Sequence, residues 1–199
     1  MLKRIMQTAG VVVLLVAVAG CSSPKQSGNA QSAKEKYLAN ARTIATGFQK
    51  ELSSVLKKHL LAGGPAEAIA VCADTAQELT RAFGESRGAT IRRVTSKPRN
   101  PADAPDDFEK AILEEFADLK QEGRLTAKSE YFEIVEIDGK KIARYLKPLT
   151  VVPVCLKCHG QNLSPEVTSL LKERYPSDKA VGYKTGDLRG AISIMIDVE

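Results

Sequence analysis

The spacing of apolar residues divides the chain into a helical first part and a second part rich in strands. Apolar side chains recur at steps of three and four over 33–61, 65–84 and 106–122, which is the period of an amphipathic helix. Shorter strand-like segments follow, and the last of them alternates apolar and polar side chains. Helices followed by mainly antiparallel strands are typical of an α+β fold.

Four strands are predicted, and turn residues separate them. The first covers 89–95, and the next two, 131–137 and 140–150, are joined by Asp138-Gly139. An Asp-Gly pair between two such segments is typical of a tight hairpin. The final strand is predicted to bury one face, because apolar residues occupy every second position: Ile192, Ile194, Ile196 and Val198.

Glycine and proline mark the limits of the predicted helices. Gly63-Gly64 ends the first helix, and Pro65 opens the second at the first-turn position that proline favours. Ser164 and Pro165 are a good N-cap and a good first residue for a short helix that ends before Pro176.

The N-terminus has the features of an export signal. Two basic residues precede an unbroken apolar run over 11–19, which is too short to span a membrane. The sequence Val18-Ala19-Gly20-Cys21 resembles the bacterial lipobox, in which the cysteine is diacylated and becomes the first residue of the mature protein. We therefore expect residues 1–20 to be a lipoprotein signal peptide and Cys21 to carry lipid. The alternative is an ordinary cleaved signal that leaves Cys21 free.

The remainder of the chain is predicted to consist of a tether and one domain. Residues 21–32 are polar, contain many turn-forming side chains and read as a flexible tether. Residues 33–199 are long enough for a single domain with its own core. A lipid at Cys21 would anchor this domain to a membrane, facing the periplasm or the cell exterior.

The net charge gives no support for a nucleic-acid partner. The formal charge of +5 includes Lys3 and Arg4 of the expected signal peptide, so the mature chain would carry 27 basic and 24 acidic residues, or +3. Arg92, Arg93, Lys97 and Arg99 do cluster in sequence. They form either a solvated strand and loop or a clamp for the carboxylates of a bound group.

Cys155-Leu156-Lys157-Cys158-His159 is the strongest indication of chemistry in the chain. Its C-x-x-C-H spacing is that of a c-type haem attachment site. Cys155 and Cys158 would form thioethers to one haem, and His159 would be the proximal iron ligand. The two propionates of this haem would bring the mature protein close to neutral, and Arg99 is the residue we expect to contact a propionate. A dithiol pair of the two cysteines is one alternative. A zinc site of Cys72, Cys155, Cys158 and a histidine is another.

The second axial position has few candidates. Cys72 and His59 both lie on apolar faces of predicted helices, and Met195 alternates with the isoleucines of the last strand. Each has an ordinary structural explanation, since a free cysteine or a histidine in a core needs no ligand. The residues by themselves leave Cys72, His59, Met195 and an open or water-bound position as alternatives.

Several motifs together resemble a family of exported c-type haem proteins. They occur in the family's order and span nearly all of the predicted mature chain: Gly63-Gly64-Pro65, Ala68-Ile69-Ala70-Val71-Cys72, Arg99-Asn100-Pro101-Ala102-Asp103-Ala104-Pro105-Asp106, the C-x-x-C-H sequence, Gly182-Tyr183, and Gly186-Asp187-Leu188-Arg189-Gly190-Ala191-Ile192-Ser193. The resemblance implies a PAS-like haem domain. It also implies axial ligation by the motif histidine, here His159, and by the cysteine of the Ala-Ile-x-x-Cys helix, here Cys72.

The resemblance also bears on function, because some members of that family are the extracytoplasmic parts of sensor kinases. A thiolate ligand stabilises ferric iron and lowers the reduction potential, which suits a sensor of redox state or of a small gaseous ligand. This sequence contains no kinase or transmembrane segment, so we expect a redox or signalling protein to receive the signal.

The alternative function is a monohaem electron carrier. We expect no enzymatic activity, with peroxidase-like or reductase-like chemistry as a minor alternative.

Overall fold

The computed structural model describes residues 24–199, with side chains for residues 31–199. The predicted signal peptide and the lipidation site Cys21 lie outside these residues. The helices are α1 (Pro24–Glu85), α2 (Asp107–Gln121), α3 (Leu156–His159) and α4 (Pro165–Arg174), and the strands are β1 (Thr90–Val94), β2 (Tyr131–Ile137), β3 (Lys140–Thr150) and β4 (Leu188–Asp197). Within the described part of the chain, no helix combines the length and apolar composition that a membrane crossing requires.

Helix α1 consists of two helices that meet at a break. Gly63 (φ −145°, ψ 18°) and Gly64 (φ 69°, ψ −160°) leave helical geometry, and Pro65 follows them. The positive φ of Gly64 is one that residues with a Cβ avoid, so the prediction of two helices separated at Gly63-Gly64 is confirmed. The first helix begins at Pro24, so residues 24–32, which were predicted to be part of a tether, are helical. Pro24 occupies the first-turn position that proline favours, and a helix that has already formed can propagate through a polar segment.

The four strands form one antiparallel sheet in the order β1-β4-β3-β2. Strands β2 and β3 form the predicted hairpin, in which Asp138 (φ 52°) and Gly139 (φ 76°) both take the left-handed conformation of a type I′ turn. The last strand of the chain, β4, is inserted between β1 and β3. The predicted α+β fold, with N-terminal helices packed against a mainly antiparallel sheet, is confirmed.

The core has one layer on each face of the sheet. The first half of α1 covers one face, where Phe48 and Ile44 pack against Tyr145 and Ile192. Helix α2 covers the other face and packs against Val94, Leu146 and Ala191. Neighbouring residues of a strand point to opposite faces, so β4 is buried on both faces. The prediction that this strand buries one face is therefore wrong, because its central position in the sheet exposes neither face to solvent.

A network of charged side chains joins α2 to the second face of the sheet. Asp106 accepts a hydrogen bond from the backbone of Glu109 at 2.7 Å, and the Glu109 carboxylate accepts one from the backbone of Asp106 at 2.9 Å, which is a capping box. Arg92 donates to Glu109 at 2.6 Å, and Arg144 donates to Asp106 at 2.7 Å. Arg92, one of the clustered basic residues, therefore contributes to packing on the α2 side of the sheet.

Three loops meet at one end of the sheet. Strand β1 ends at Val94 opposite Ala191, and β3 ends at Thr150 opposite Leu188. Since β4 runs antiparallel to both neighbours, the segments that follow β1 and β3 lie beside the segment that precedes β4. This arrangement places Arg99, the C-x-x-C-H sequence and the loop before β4 in one region.

Candidate functional site

The C-x-x-C-H sequence forms a short helical segment directly after β3. A 3₁₀ turn at Pro153–Cys155 continues into α3, which ends at His159. Residues three apart in such a segment lie on the same side, so the thiols of Cys155 and Cys158 are neighbours. Both thiols are free and partly buried. The spacing that was recognised in the sequence therefore corresponds to a compact pair of thiols next to the imidazole.

The imidazole of His159 is held by a backbone carbonyl group. Its Nδ1 atom lies 2.7 Å from the oxygen of Ala180. Because a carbonyl oxygen accepts only, Nδ1 carries the proton and Nε2 keeps its lone pair. Burial, aided by the positive charges of Arg99 and Arg189, lowers the pKa of His159 to about 3. The ring is therefore neutral near pH 7, in the form that a metal ligand requires.

The loop before β4 also holds the backbone of His159. The N–H of Tyr183 donates to the carbonyl oxygen of His159 at 3.0 Å, and the N–H of Gly182 donates to that of Gly160 at 3.0 Å. The ring of Tyr183 packs edge to face with the imidazole at a centroid distance of 6.3 Å. The loop that supplies the Ala180 carbonyl thus fixes both the ring and the backbone of His159.

Arg99 connects this loop to α3. Its Nε donates to Asp178 at 3.0 Å, and its Nη2 donates to the carbonyl oxygens of Cys158 at 2.6 Å and Ala180 at 3.3 Å. These acceptors all belong to the protein. The propionate contact expected for Arg99 stays a prediction, and the contacts observed in the structure join two parts of the site.

Cys72 lies on the second half of α1, one helical turn after Ile69. Ile69 packs against Val167 and Leu171 of α4, and Cys158 packs against the same apolar cluster. Helix α1 also contacts α3. The fold therefore brings the helix that carries Cys72 to the C-x-x-C-H segment.

The thiol of Cys72 lies in an apolar environment with guanidinium groups nearby. Burial raises the pKa of the Cys72 thiol, and the positive charges of Arg93 and Arg99 partly offset this increase. Burial likewise raises the pKa of the Cys158 thiol, which is close enough to Cys72 for the two to interact electrostatically. Both are therefore protonated near pH 7, and the guanidinium groups would favour the thiolate form that metal ligation needs.

The other two candidates for the second axial position have different surroundings. The Nδ1 atom of His59 lies 3.2 Å from the carboxylate of Glu67, which is on the far side of the Gly63-Gly64 break. Met195 pairs with Arg144 in the sheet, and their side chains point toward α2, on the face opposite α1. Of these three candidate side chains, the structure brings Cys72 together with the C-x-x-C-H segment.

The alternative zinc site required three cysteines and a histidine around one ion. Across residues 31–199, no group of three or more histidine, cysteine, aspartate or glutamate side chains is arranged to hold a metal ion. The cysteines and His159 are thus close in the fold without the tetrahedral convergence of a structural zinc site.

Several groups that build the site were not predicted. Asp178 accepts hydrogen bonds from Arg99 and from the backbone of Ala180, and Arg189 donates to the hydroxyl of Thr95 at 3.1 Å. The Pro-Ser-Asp sequence at 176–178 indicates a turn, but nothing more specific. A backbone carbonyl such as that of Ala180 has no sequence signature, because every residue carries one.

Comparison with known proteins assigns the chain to a family. A protein-family model described as Tll0287-like matches residues 29–197, which is most of the chain. The chain belongs to the Tll0287-like family.

The fold of this Tll0287-like chain is similar to that of a solved structure described as the crystal structure of the cyanobacterial heme-protein Tll0287. The two chains are 23% identical, the match covers 88% of this chain and 97% of that chain, and the TM-score is 0.55. At this identity the similarity concerns the fold. A search of curated proteins found no match to the chain.

Proposed function

We propose that this protein carries one c-type haem, bound through thioethers to Cys155 and Cys158. The observation that carries the proposal is the state of His159. Its ring is neutral, and its Nδ1 donates a hydrogen bond to the carbonyl oxygen of Ala180. The lone pair of Nε2 is therefore available to bind iron, beside the two thiols of the same helical segment. The description of the cyanobacterial relative as a heme-protein supports haem as the cofactor.

Cys72 is the second axial ligand in this proposal. The apolar cluster of Ile69, Val167 and Leu171 packs the helix of Cys72 against Cys158. This packing supports Cys72 over His59, which contacts Glu67. Arg93 and Arg99 would help Cys72 to bind iron as a thiolate, because their charges oppose the effect of burial on its pKa.

The proposed role is the sensing of redox state or of a small gaseous ligand. When bound, the haem supplies a one-electron redox centre and a coordination position at which a small molecule can bind. A thiolate from Cys72 would hold the ferric state, and its protonation on reduction would release the second half of α1. That half is separated from the first at Gly63 and Gly64, so it is an element whose two positions a partner protein could distinguish.

The proposed location follows from the sequence. Export would place the domain outside the cytoplasm, where c-type haem proteins are completed, and lipid on Cys21 would hold it at a membrane. A redox or signalling protein at the same membrane would then be the partner that receives the signal.

One observation supports an electron carrier as a second candidate function. Val152 and Val154, beside Cys155, are 47% and 39% exposed. Apolar side chains exposed next to the attachment site would let a redox partner approach the haem edge. Both candidate functions use the same haem. They differ in whether the bond between the iron and the Cys72 sulfur would break on reduction.

The cofactor is tested by exporting the full chain from a bacterial host that attaches c-type haem. We expect a coloured protein whose haem remains on the chain after denaturation and acid–acetone extraction. A matched Cys155→Ala/Cys158→Ala variant should lose the covalently bound haem. A colourless wild-type protein that contains zinc, or haem that is extracted completely, would contradict the proposal.

A further inference from the structure

A hydrogen-bond network surrounds the Ala180 carbonyl group, which accepts a hydrogen bond from His159. The Ala180 oxygen accepts from Nδ1 of His159 at 2.7 Å and from Nη2 of Arg99 at 3.3 Å. The same Nη2 donates to the Cys158 oxygen at 2.6 Å. Both oxygens of Asp178 take part, because Oδ2 accepts from Nε of Arg99 at 3.0 Å and Oδ1 accepts from the N–H of Ala180 at 2.7 Å.

The ion pair at the centre of this set is buried. The side chains of Arg99 and Asp178 are 11% and 10% exposed, so water screens their attraction little. Removing either partner would leave a buried charge without its counter-ion, which is costly. The pair therefore holds its geometry firmly, unlike an ion pair at the surface, which contributes little to stability.

This geometry determines where the imidazole can point. The direction from Nδ1 to the Ala180 oxygen sets the plane of the ring and thus the direction of the Nε2 lone pair. The Cys158 carbonyl lies in the turn that carries both the thiol and His159. Because Arg99 binds the Cys158 and Ala180 carbonyls with one nitrogen, it couples the position of the thiol to the orientation of the ring.

We propose that Arg99 and Asp178 are a positioning pair that sets the orientation of His159 as an axial ligand by holding the carbonyl oxygens of Cys158 and Ala180. This inference rests on the proposed haem. It assigns Arg99 a role that differs from the propionate contact expected on the sequence. Neither residue binds the iron, and both act through the imidazole.

Arg93 provides a comparison that supports this assignment. Its Nε atom is buried without a hydrogen-bond partner, and its nearest carboxylate partner, Asp103, is 3.8 Å away. Arg93 and Arg99 both lie near Cys72. Of the two, Arg93 is the one whose Nε has no partner in the protein and could bind an added carboxylate. The Nε and Nη2 donors of Arg99 already have partners in the protein.

The test uses Arg99→Gln, Asp178→Asn and Arg99→Lys in the purified holoprotein. The readouts are the EPR spectrum of the ferric protein and the midpoint potential. A purely electrostatic effect would shift the potential in opposite directions in Arg99→Gln and Asp178→Asn, because one substitution removes a positive charge and the other a negative charge. Positioning instead predicts the same EPR change in both: altered g-values or a second low-spin signal from a reoriented imidazole.

Arg99→Lys keeps the charge but loses the planar group that reaches Asp178 and the carbonyl groups together. We expect it to show the same EPR change, which an effect of charge would not produce. Should Arg99→Gln fail to fold, Arg99→Lys and Asp178→Asn decide the question by themselves.

The matched controls are Arg124→Gln and Glu122→Gln. They break an exposed ion pair of 2.6 Å just after α2 that has no hydrogen bond to the histidine or its carbonyl partner. Both controls should keep the wild-type EPR spectrum. Wild-type spectra in the Arg99 and Asp178 variants, or equal changes in the controls, would overturn the positioning role. A wild-type protein without covalent haem would instead overturn the proposed function.

Discussion

Glu109 of α2 and Arg92 of β1 form an ion pair of 2.6 Å in which the carboxylate is fully buried. Arg144, also buried, lies 3.6 Å from the other oxygen of Glu109. Removal of this carboxylate leaves Arg92 without its carboxylate partner and the buried Arg144 with Asp106 alone, and it breaks the capping box of α2. We expect Glu109→Ala to lower the free energy of unfolding by about 3–5 kcal/mol, as measured by urea denaturation.

The control for this prediction is Glu122→Ala, which removes an equally short but exposed ion pair with Arg124. An exposed pair contributes less than about 1 kcal/mol. If the two variants were equally stable, the buried network would have no special role in holding α2 on the sheet.

The stability of the domain should depend on pH through Glu130. Hydrogen bonds from Arg42, and a weaker one from the Tyr145 hydroxyl, lower the pKa of Glu130 from its ordinary value of 4.5. A carboxyl group with a lowered pKa in the folded state stabilises the fold above its unfolded pKa, and this contribution is lost as the pH falls through the folded value. We therefore expect the urea midpoint to decrease below about pH 4.5.

Glu130→Gln tests the source of that decrease. It should lower stability at pH 7 and flatten the acid part of the profile, whereas Glu51→Gln, at an exposed position of α1, should change neither. An unchanged acid profile in Glu130→Gln would assign the pH dependence to other carboxyl groups.

Substitution of Cys72 should change the iron ligands. We expect Cys72→Ala to alter the ferric absorption and EPR spectra, because the thiolate is lost. Cys72→Met should raise the midpoint potential by at least about 60 mV, a tenfold change in the redox equilibrium. His59→Gln and Met195→Leu are the matched controls for the other two candidates, and their spectra should equal that of the wild type. A ferric spectrum unchanged by Cys72→Ala would rule out this ligand.

Carbon monoxide separates the two candidate functions. If reduction weakens the bond to Cys72, the ferrous protein should form a CO adduct and have a low midpoint potential, as a sensor requires. An electron carrier would keep both axial ligands, so a potential well above zero without a CO adduct would favour that function. An absorption-monitored redox titration and CO difference spectra of the same sample make the comparison.

Most elements could be predicted from short-range signals. Gly63-Gly64, Asp138-Gly139 and Ser164-Pro165 act on the backbone of their immediate neighbours, and the structure has the expected break, turn and helix start at those residues. The limits of such reasoning are visible at both ends of the described chain. Helix α1 extends back to Pro24 because helix propagates through a polar segment, and β4 is buried on both faces because of where it is inserted.

By itself, the sequence determined the donors: two thiols and a histidine at C-x-x-C-H spacing, with few other side chains able to face them. Only the tertiary structure decided that the helix carrying Cys72 packs against Cys158 and that Met195 lies on the face of the sheet opposite α1. Only the tertiary structure placed Arg99 and Asp178 next to the backbone of Ala180, where both form hydrogen bonds. The physical reason is that donor spacing within one turn is local. Contacts between distant segments depend on strand order. Where such a contact is made to a backbone carbonyl, the sequence carries no signal of it, because every residue has the same carbonyl group.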